Sequence, residues 1–315
     1  MSKPSSVFRY RICNWHEYNR AQINRDRLTV WFDAQALAGW RHTALATGSG
    51  APRRYADLAV ECALVCKSVS HLSLRAAHGC LSSVMELMRL TLPIPDYSTV
   101  SRRQTALAIH SALTPCGSPR HVVVDATGLK VYGAGAWRVR KHRLRRRRTW
   151  RKLHLGIDER TKEIVAVEVT ESRVHDSRPL SALLAQIADP IEQVSGDGAY
   201  DTRACYEAVL ERGATPVFVP RRTAKLVNST DPTEWRATRN GILQKIAVHG
   251  RLTWRILNRC TCQSIAENAL FRFKWVFGGR LWARSLATQL VEAVVKSAVL
   301  NRMTQLGMPE MVCVV

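Results

Sequence analysis

Three acidic residues, far apart in the chain, are of the types that metal-assisted phosphate chemistry uses. Asp125 follows the apolar run 122–124, and Asp197 ends a second run at 193–196. Both runs predict buried strands, and α/β sheets place active sites at the carboxyl ends of such strands. Glu267 lies in a predicted helix. Together, two strand-end aspartates and a helical glutamate can hold divalent metal against phosphate, because Mg²⁺ and Mn²⁺ prefer carboxylate oxygens.

The stretch 264–274 predicts a helix that presents Glu267 together with a lysine. Leu270 and Phe277 belong to its apolar stripe. Lys274 follows Glu267 by seven residues, which is two helical turns, so both side chains point from one face. An acid and a base at this spacing also suit a surface salt pair, and both interpretations are open at this stage.

Small residues surround both aspartates. Gly128 follows Asp125 by three residues, and Asp197 lies between Gly196 and Gly198. Glycine has no Cβ and therefore lets a phosphate or a metal come close to the backbone. The alternative for each aspartate taken singly is a turn at a strand end or a helix cap.

The order of predicted elements indicates a mixed α/β fold after a boundary at 114–120. The predicted elements are strands at 121–131, 149–158, 163–170, 193–197 and 215–219, and helices at 177–188, 201–212 and 281–303. Asp158 opens the hairpin turn 158–162 and is predicted as a turn residue rather than a ligand. Residues 220–261 are predicted as an exposed excursion. The last helix is predicted to turn one set of apolar side chains inward: Leu286, Leu290, Ala293, Val294 and Ala298.

The N-terminal part has a different pattern. Residues 1–53 form a separate segment that ends in a Gly/Ser/Pro linker, and 54–115 are predicted to be helical. A helix, a short break at 92–97 and a basic helix beginning at Ser98 suit a helix-turn-helix reader of DNA. The alternative is a plain helical bundle whose charges are solvated.

The charge balance indicates a polyanionic partner. The chain has 315 residues, with 47 Lys+Arg against 25 Asp+Glu, a net charge of +22. Nucleic acid is the leading partner, with anionic membrane as the competitor. There is no apolar segment long enough to span a bilayer and no signal peptide, which predicts a cytosolic protein without a membrane partner.

The cysteines predict reduced thiols rather than a disulfide framework. Their number is nine, an odd count scattered over a long chain. Cys62 and Cys66 lie one turn apart on a predicted helix, and Cys260 and Cys262 flank Thr261. Neither pair has zinc-finger spacing or a histidine cluster nearby in the sequence.

The densest basic run predicts contacts with the DNA backbone. It lies between the first two predicted strands, as a long hairpin loop, and its cations are Arg138, Arg140, Lys141, Arg143, Arg145, Arg146, Arg147, Arg148, Arg151 and Lys152. Charge runs are usually solvated. This run follows Asp125 in a predicted folded domain, where an anion must relieve its self-repulsion. Phosphate contacts of this kind give affinity without sequence preference and a steep salt dependence.

The acidic motifs resemble those of a known family. The stretches 123–128 (VVDATG), 195–201 (SGDGAYD) and 266–274 (AENALFRFK) are similar to the motifs of DDE transposases, most closely the insertion-sequence-five group of bacterial elements. The stretches 148–155 and 300–309 are similar to that group as well, so the resemblance runs over most of residues 50–309.

This resemblance implies a ribonuclease H-like mixed-sheet catalytic domain over 119–309, with Asp125, Asp197 and Glu267 as its metal-binding triad. It implies two Mg²⁺ ions, with Mn²⁺ able to substitute, and Lys274 touching DNA near the transposon end. The implied partners are the terminal inverted repeats and target DNA. The paired ends imply a homodimer in the DNA complex, by analogy. The implied location is the bacterial cytoplasm, at the nucleoid.

The chain departs from the family pattern at two positions before the glutamate. A tyrosine and an arginine are expected seven and four residues before Glu267, where this chain has Cys260 and Gln263. The change removes a positive phosphate contact, although Gln263 can donate a neutral hydrogen bond from the same helical face. His175 and Asp176 are auxiliary candidates. Asp176 suits a helix N-cap as well as metal support.

The resulting expectation is a transposase. It would hydrolyse DNA at transposon ends and direct the freed 3′-hydroxyl to target DNA. Two alternatives remain from the sequence. One is a ribonuclease H-fold nuclease without strand transfer. The other is a catalytically decayed DNA-binding relic, which Cys260 and Gln263 suggest.

Overall fold

The computed structural model describes residues 9–25, 27, 38–42, 54–107, 113–115, 117–132, 149–227, 233–259 and 262–314. Its strands are β1 (Arg9–Ile12), β2 (Arg120–Val131), β3 (Trp150–Asp158), β4 (Ile164–Glu171), β5 (Ile191–Gly196), β6 (Thr215–Phe218), β7 (Arg280–Leu281) and β8 (Met311–Val314). Its α-helices are α1 (Trp15–Arg25), α2 (Asp57–Val69), α3 (Leu74–Leu87), α4 (Tyr97–Arg103), α5 (Leu180–Ala185), α6 (Arg203–Glu211), α7 (Glu234–His249), α8 (Arg251–Leu257), α9 (Gln263–Phe277) and α10 (Leu286–Gln305).

A mixed six-stranded sheet forms the centre of the molecule. Five of its strands follow the order β4-β3-β2-β5-β6. The sixth, the short β7, pairs with the last two residues of β2. The pairs β2–β3 and β3–β4 are antiparallel, whereas β5 runs parallel to both β2 and β6. The predicted mixed α/β class, with a mixed sheet, is confirmed.

Successive side chains of β2 point alternately into two hydrophobic cores, one on each face of the sheet. Val122 and Val124 pack with α5, α6 and the helices α7 and α8 on one face. Val123 and Leu129 pack with α9 and α10 on the other face. Odd-numbered residues of β2 therefore face α9, because successive side chains of a strand point to opposite faces.

A buried ion pair anchors the start of β2. Arg120 donates from Nη1 to Asp158 Oδ2 and from Nε to Asp189 Oδ2, both at 2.6 Å. Asp158 Oδ1 also accepts the backbone N–H groups of Arg160 and Thr161. The prediction of Asp158 as a turn residue is confirmed, with the added role of neutralising a buried arginine.

Residues 220–261 are not a simple exposed excursion. The described part of this stretch contains α7 and α8, whose Ile242 and Trp254 join the core on the β5 side of the sheet. The sequence did not predict this packing, because charged residues surround Trp254. The expectation for the last helix also fails at one position, since Leu286 of α10 is exposed while Ala293 is buried.

The N-terminal helices pack as a bundle against α10. Helices α2, α3 and α4 share a core to which Val295 of α10 contributes. Residues 88–96 separate α3 from α4, a longer connection than the three- to four-residue turn of a helix-turn-helix. Arg103 of α4 donates to Tyr55 O and Asp57 Oδ1, so one of the predicted DNA-facing arginines is bound within the bundle.

The two ends of the described chain meet in a second, small sheet. Strand β1 pairs antiparallel with β8, from Arg9 opposite Val314 to Ile12 opposite Met311. Among the described residues, no helix combines the length and apolar character needed to cross a membrane.

Candidate active site

Asp125 lies in the middle of a strand rather than at its end. Strand β2 continues for six residues beyond it to Val131. The extension is held by β3 on one side and by β7 near its tip. The predicted strand-end position is therefore wrong, because Ala126, Thr127 and Gly128 continue the ladder although they interrupt the apolar run.

Asp197 follows the strand beside Asp125. Val123 of β2 is in parallel register with Ser195 of β5. Two residues further along each strand are Asp125 and Asp197, on the same face of the sheet as their register partners. The two aspartates therefore come from adjacent parallel strands and from the face that α9 covers.

Helix α9 brings Glu267 to these aspartates. Lys274 Nζ donates to Thr127 Oγ1 at 2.5 Å, and Gln263 Nε2 donates to Val124 O at 3.4 Å. These contacts fasten both ends of α9 along β2, and Glu267 lies between them on the same helical stripe. The predicted helix is confirmed, and Lys274 contacts β2 rather than forming the surface salt pair with Glu267.

The charges of Asp197 and Glu267 both act on the carboxyl group of Asp125. Burial is the largest cause that raises the pKa of Asp125 to about 6, although a hydrogen bond from the Ala126 N–H opposes it. The charges of Asp197, Glu267 and Asp176 raise this pKa further. Asp125 is half-buried, whereas Asp197 and Glu267 are exposed. The group is thus open to solvent and carries mutual repulsion that a cation would relieve.

Asp176 also acts electrostatically on Asp125, but it does not cap a helix. Helix α5 begins at Leu180 with Pro179 as its N-cap residue, so the predicted N-cap role of Asp176 is wrong. Its carboxylate pairs with Lys152 Nζ at 2.9 Å. His175, next to it, is exposed and its Nδ1 contacts Ser177 Oγ at 2.8 Å.

Tyr200, three residues after Asp197, packs in the core. Its side chain is 1% exposed and stacks near Phe218. A Cβ added to Gly196 would lie 2.8 Å from the Tyr200 ring, so packing of this ring requires Gly196. Gly196 is therefore needed for the packing of Tyr200. This role differs from the prediction, which assigned the glycine to the approach of a phosphate or a metal.

His154 is a buried residue of this region that sequence reasoning missed. Its Nε2 contacts Thr170 Oγ1 at 2.8 Å, and burial lowers its pKa to about 4. Asp176 acts in the opposite direction on this pKa. The available signal was its place between Leu153 and Leu155, since alternation puts it on the opposite face of β3 from those leucines.

Most of the basic run lies outside the described residues, including Arg138, Arg140, Lys141, Arg143, Arg145, Arg146, Arg147 and Arg148; Cys260 lies outside them as well. Its last two cations bind protein atoms. Arg151 Nε donates to Gln289 Oε1 at 2.9 Å, and Lys152 Nζ donates to Val174 O in addition to pairing with Asp176. The two strands that flank the run, β2 and β3, pair antiparallel, as predicted.

The donor chemistry of the three carboxylates suits a hard divalent cation, although their oxygen atoms do not all lie within 4.8 Å of one another in this structure. The candidate donors Asp125, Asp197 and Glu267 offer only oxygen atoms, which Mg²⁺ and Mn²⁺ prefer. Burial raises the pKa of Asp125 most, and the repulsion between these groups raises it further. A divalent ion bound among them would remove this repulsion.

Comparison with known proteins decides the family. A sequence model described as "Transposase DDE domain" matches residues 117–302, which is more than half of the chain. A second model with the same description matches residues 23–134.

The chain belongs to the DDE transposase family. It is therefore a DNA transposase, of an enzyme class that uses divalent metal to cut DNA and join it. The predicted family and activity are confirmed. The two matches together span the N-terminal helical region as well as the sheet, and they agree with the packing of α2 to α4 against α10.

Two solved transposase structures show distant similarity to this transposase. One is the cryo-EM structure of a piggyBac transposase synaptic complex with hairpin DNA, at 13% identity and a TM-score of 0.39, covering 90% of this chain and 73% of that chain. The other is a Drosophila P element transposase strand transfer complex, at 9% identity and a TM-score of 0.29, covering 90% of this chain and 86% of that chain.

Proposed function

We propose that Asp125, Asp197 and Glu267 bind two Mg²⁺ ions, with Mn²⁺ able to substitute, and that this transposase cuts the ends of its own element. The same site then joins each freed 3′-hydroxyl to target DNA. The DNA partners are the terminal inverted repeats and the target, bound by a homodimer. The proposed location is the bacterial cytoplasm, at the nucleoid.

The observation that carries this proposal is the convergence of three elements on one face of β2. The parallel register puts Asp197 beside Asp125, and the contacts of Gln263 and Lys274 hold Glu267 above them. When bound, the ions would stabilise the charge on the attacking and leaving oxygens of an in-line displacement.

The chain's own side chains provide the DNA contacts in this proposal. Lys274 is exposed and lies on the same stripe of α9 as Glu267, so its ammonium group can approach a phosphate beside the carboxylates. The basic run 138–152 holds the DNA backbone. Gln263 donates to the β2 backbone at Val124 O and adds no positive charge.

The experiment that tests the proposal joins DNA ends in a purified system. Labelled DNA carrying both flanks of the coding sequence is incubated with the full chain, Mg²⁺ and a supercoiled target plasmid. The proposal predicts cleavage at the element ends followed by covalent joining to the plasmid, with both products lost in Asp197→Ala. Glu207→Ala, an exposed acidic residue of α6, is the matched control and retains both products.

Two outcomes would contradict the proposal. Cleavage without joining would identify a ribonuclease H-fold nuclease. Binding of the ends without cleavage in either Mg²⁺ or Mn²⁺ would identify a relic, in line with Cys260 and Gln263 at the positions of the family's tyrosine and arginine.

A further inference from the structure

A second group of metal-ligating residue types lies away from the carboxylates of the active site. His121 Nδ1 is 3.2 Å from Glu159 Oε2, and the Cys262 thiol donates to Glu159 Oε1 at 3.2 Å. Among the described residues, this is the one group of three or more whose donor atoms all lie within 4.8 Å of one another. His121 is the second residue of β2, Glu159 follows β3 and Cys262 precedes α9.

The spacing of these atoms matches a tetrahedral zinc site. With Zn–N and Zn–O of about 2.0–2.1 Å and Zn–S of about 2.3 Å, tetrahedral ligand atoms lie roughly 3.3–3.6 Å apart. The two separations of 3.2 Å, which involve different oxygens of Glu159, are close to this spacing. The three donor atoms all lie within 4.8 Å of one another.

The other ring nitrogen of His121 has the partner that a metal-binding histidine needs. Nε2 lies 2.7 Å from Ser195 Oγ, and Gln193 Nε2 donates to that same oxygen at 3.0 Å. Gln193 is itself held by Asn258 O at 2.9 Å. Ser195 Oγ can therefore accept a hydrogen bond from a protonated Nε2, which leaves the lone pair of Nδ1 to ligate and fixes the ring's orientation.

Burial and charge also suit a divalent ion. The side chains of His121 and Glu159 are 5% and 26% exposed, so the pair is enclosed but reachable from the glutamate side. Cys262 is buried. A thiolate and a carboxylate together carry two negative charges, which balance a divalent cation next to the nearby cation Arg259.

We propose that His121, Glu159 and Cys262 bind one Zn²⁺ ion, with a fourth position left for water. On binding, the Cys262 thiol releases its proton to solvent and the ion takes the place of its hydrogen bond to Glu159. The nitrogen and sulfur donors distinguish this site from the all-oxygen site, which prefers Mg²⁺ or Mn²⁺.

The proposed zinc site fastens the start of α9 to the base of the sheet. Cys262 lies five residues before Glu267, about 7–8 Å along a helix, and His121 lies four residues before Asp125, about 13 Å along a strand. One ion would thus link β2 and α9, two of the three elements that bring carboxylates to the active site, without touching those carboxylates. It would hold these two elements together, and its binding does not require DNA cleavage.

Cobalt substitution in the metal-free full chain is the direct test, because Co²⁺ bound to thiolate gives a charge-transfer band. The proposal predicts this band at one equivalent of Co²⁺ and its displacement by Zn²⁺. Cys262→Ser and Glu159→Gln should each weaken binding at least about tenfold. The matched control Cys13→Ser, at an exposed free cysteine, and the active-site variant Asp125→Asn should retain the band.

A second variant tests the site without removing a ligand. Ser195→Ala leaves all three donors in place, and the proposal predicts metal binding weakened about 10–100-fold. Thermal unfolding with and without Zn²⁺ should show a rise in Tm for the wild type and a smaller rise for this variant. A cobalt band unaffected by Cys262→Ser, or no band in the folded wild type, would overturn the proposal.

Discussion

At the scale of single residues, the central feature is a half-buried aspartate among other carboxylates. Asp125 has a pKa raised to about 6 by burial and by the charges of Asp197, Glu267 and Asp176. A folded-state pKa above the unfolded value means that the folded protein binds more protons between about pH 4 and 6. Stability without metal therefore falls as pH rises through this window and stays reduced above it.

Replacing this carboxylate by its amide should therefore stabilise the metal-free protein. Asp125→Asn is expected to raise the free energy of unfolding by about 1–2 kcal/mol at pH 7.5 with a chelator present, and by little at pH 4. Urea unfolding at both pH values measures it. Added Mg²⁺ should stabilise the wild type more than the variant. A loss of stability at pH 7.5 with chelator would contradict this account of the site.

Lys274 is predicted to bind DNA rather than to support the fold. Its ammonium group is exposed and makes one described hydrogen bond, to Thr127. In Lys274→Met, the slope of log affinity against log salt for element-end DNA should fall by about 1. Fluorescence anisotropy over a salt series measures the slope, and Lys245→Met, an exposed lysine of α7, is the charge-matched control. An unchanged slope would remove Lys274 from the interface.

At the scale of elements, Arg120 joins the start of β2 to the end of β3 through Asp158 and to the segment before β5 through Asp189. Asp158→Ala would leave Arg120 buried with Asp189 as its remaining described acidic partner. The expected cost is about 3–5 kcal/mol in the free energy of unfolding, because a buried charge loses its buried acidic partner and keeps only the half-exposed Asp189 among those described. Urea unfolding at pH 7 measures it.

The control for that prediction is an exposed ion pair of the same kind. Glu207→Ala removes the partner of Arg203 on α6, and should cost about 0.5 kcal/mol or less. Equal losses in Asp158→Ala and Glu207→Ala would show that burial of the Arg120 pair adds nothing.

Local patterns predicted those elements whose apolar periodicity is strong. The stripe of α9 gave its helix and its face correctly, since Leu270, Phe273 and Phe277 are all buried. The bounds of β2 were also predicted closely, at 121–131 against the observed Arg120–Val131. The end of the apolar run at residue 124 nevertheless suggested wrongly that Asp125 ends the strand, because the pairing beyond it comes from β3 and from the distant β7.

Contacts between residues far apart in the chain explain the features of the site that the sequence did not predict. Asp176 was expected at a helix start, yet its partner is Lys152 on β3. Asp201 also comes just before a helix, and it forms an ion pair with Arg239 and accepts a hydrogen bond from the Tyr206 hydroxyl. Cys262 had no histidine near it in the sequence, and the fold puts His121 beside it.

At the scale of the whole molecule, the net charge of +22 governs non-specific DNA binding. Replacing Arg145, Arg146 and Arg147 by alanine should lower the salt slope by about 2–3, because each lost phosphate contact contributes about 0.9. Affinity for element ends and for random DNA should fall together, since phosphate contacts carry no sequence information. Weaker binding to element ends alone, measured by competition, would contradict this role for the basic run.

The assembly of three carboxylates from two strands and one helix is the central claim. Single-turnover cleavage of a labelled element end in Mg²⁺ tests it most directly, comparing Asp125→Asn, Asp197→Asn and Glu267→Gln with the control Glu207→Gln. Each of the three variants should lose at least about 100-fold in rate, as expected when a group that stabilises transition-state charge is removed. The control should cleave like the wild type. Wild-type cleavage rates in Glu267→Gln would contradict the account.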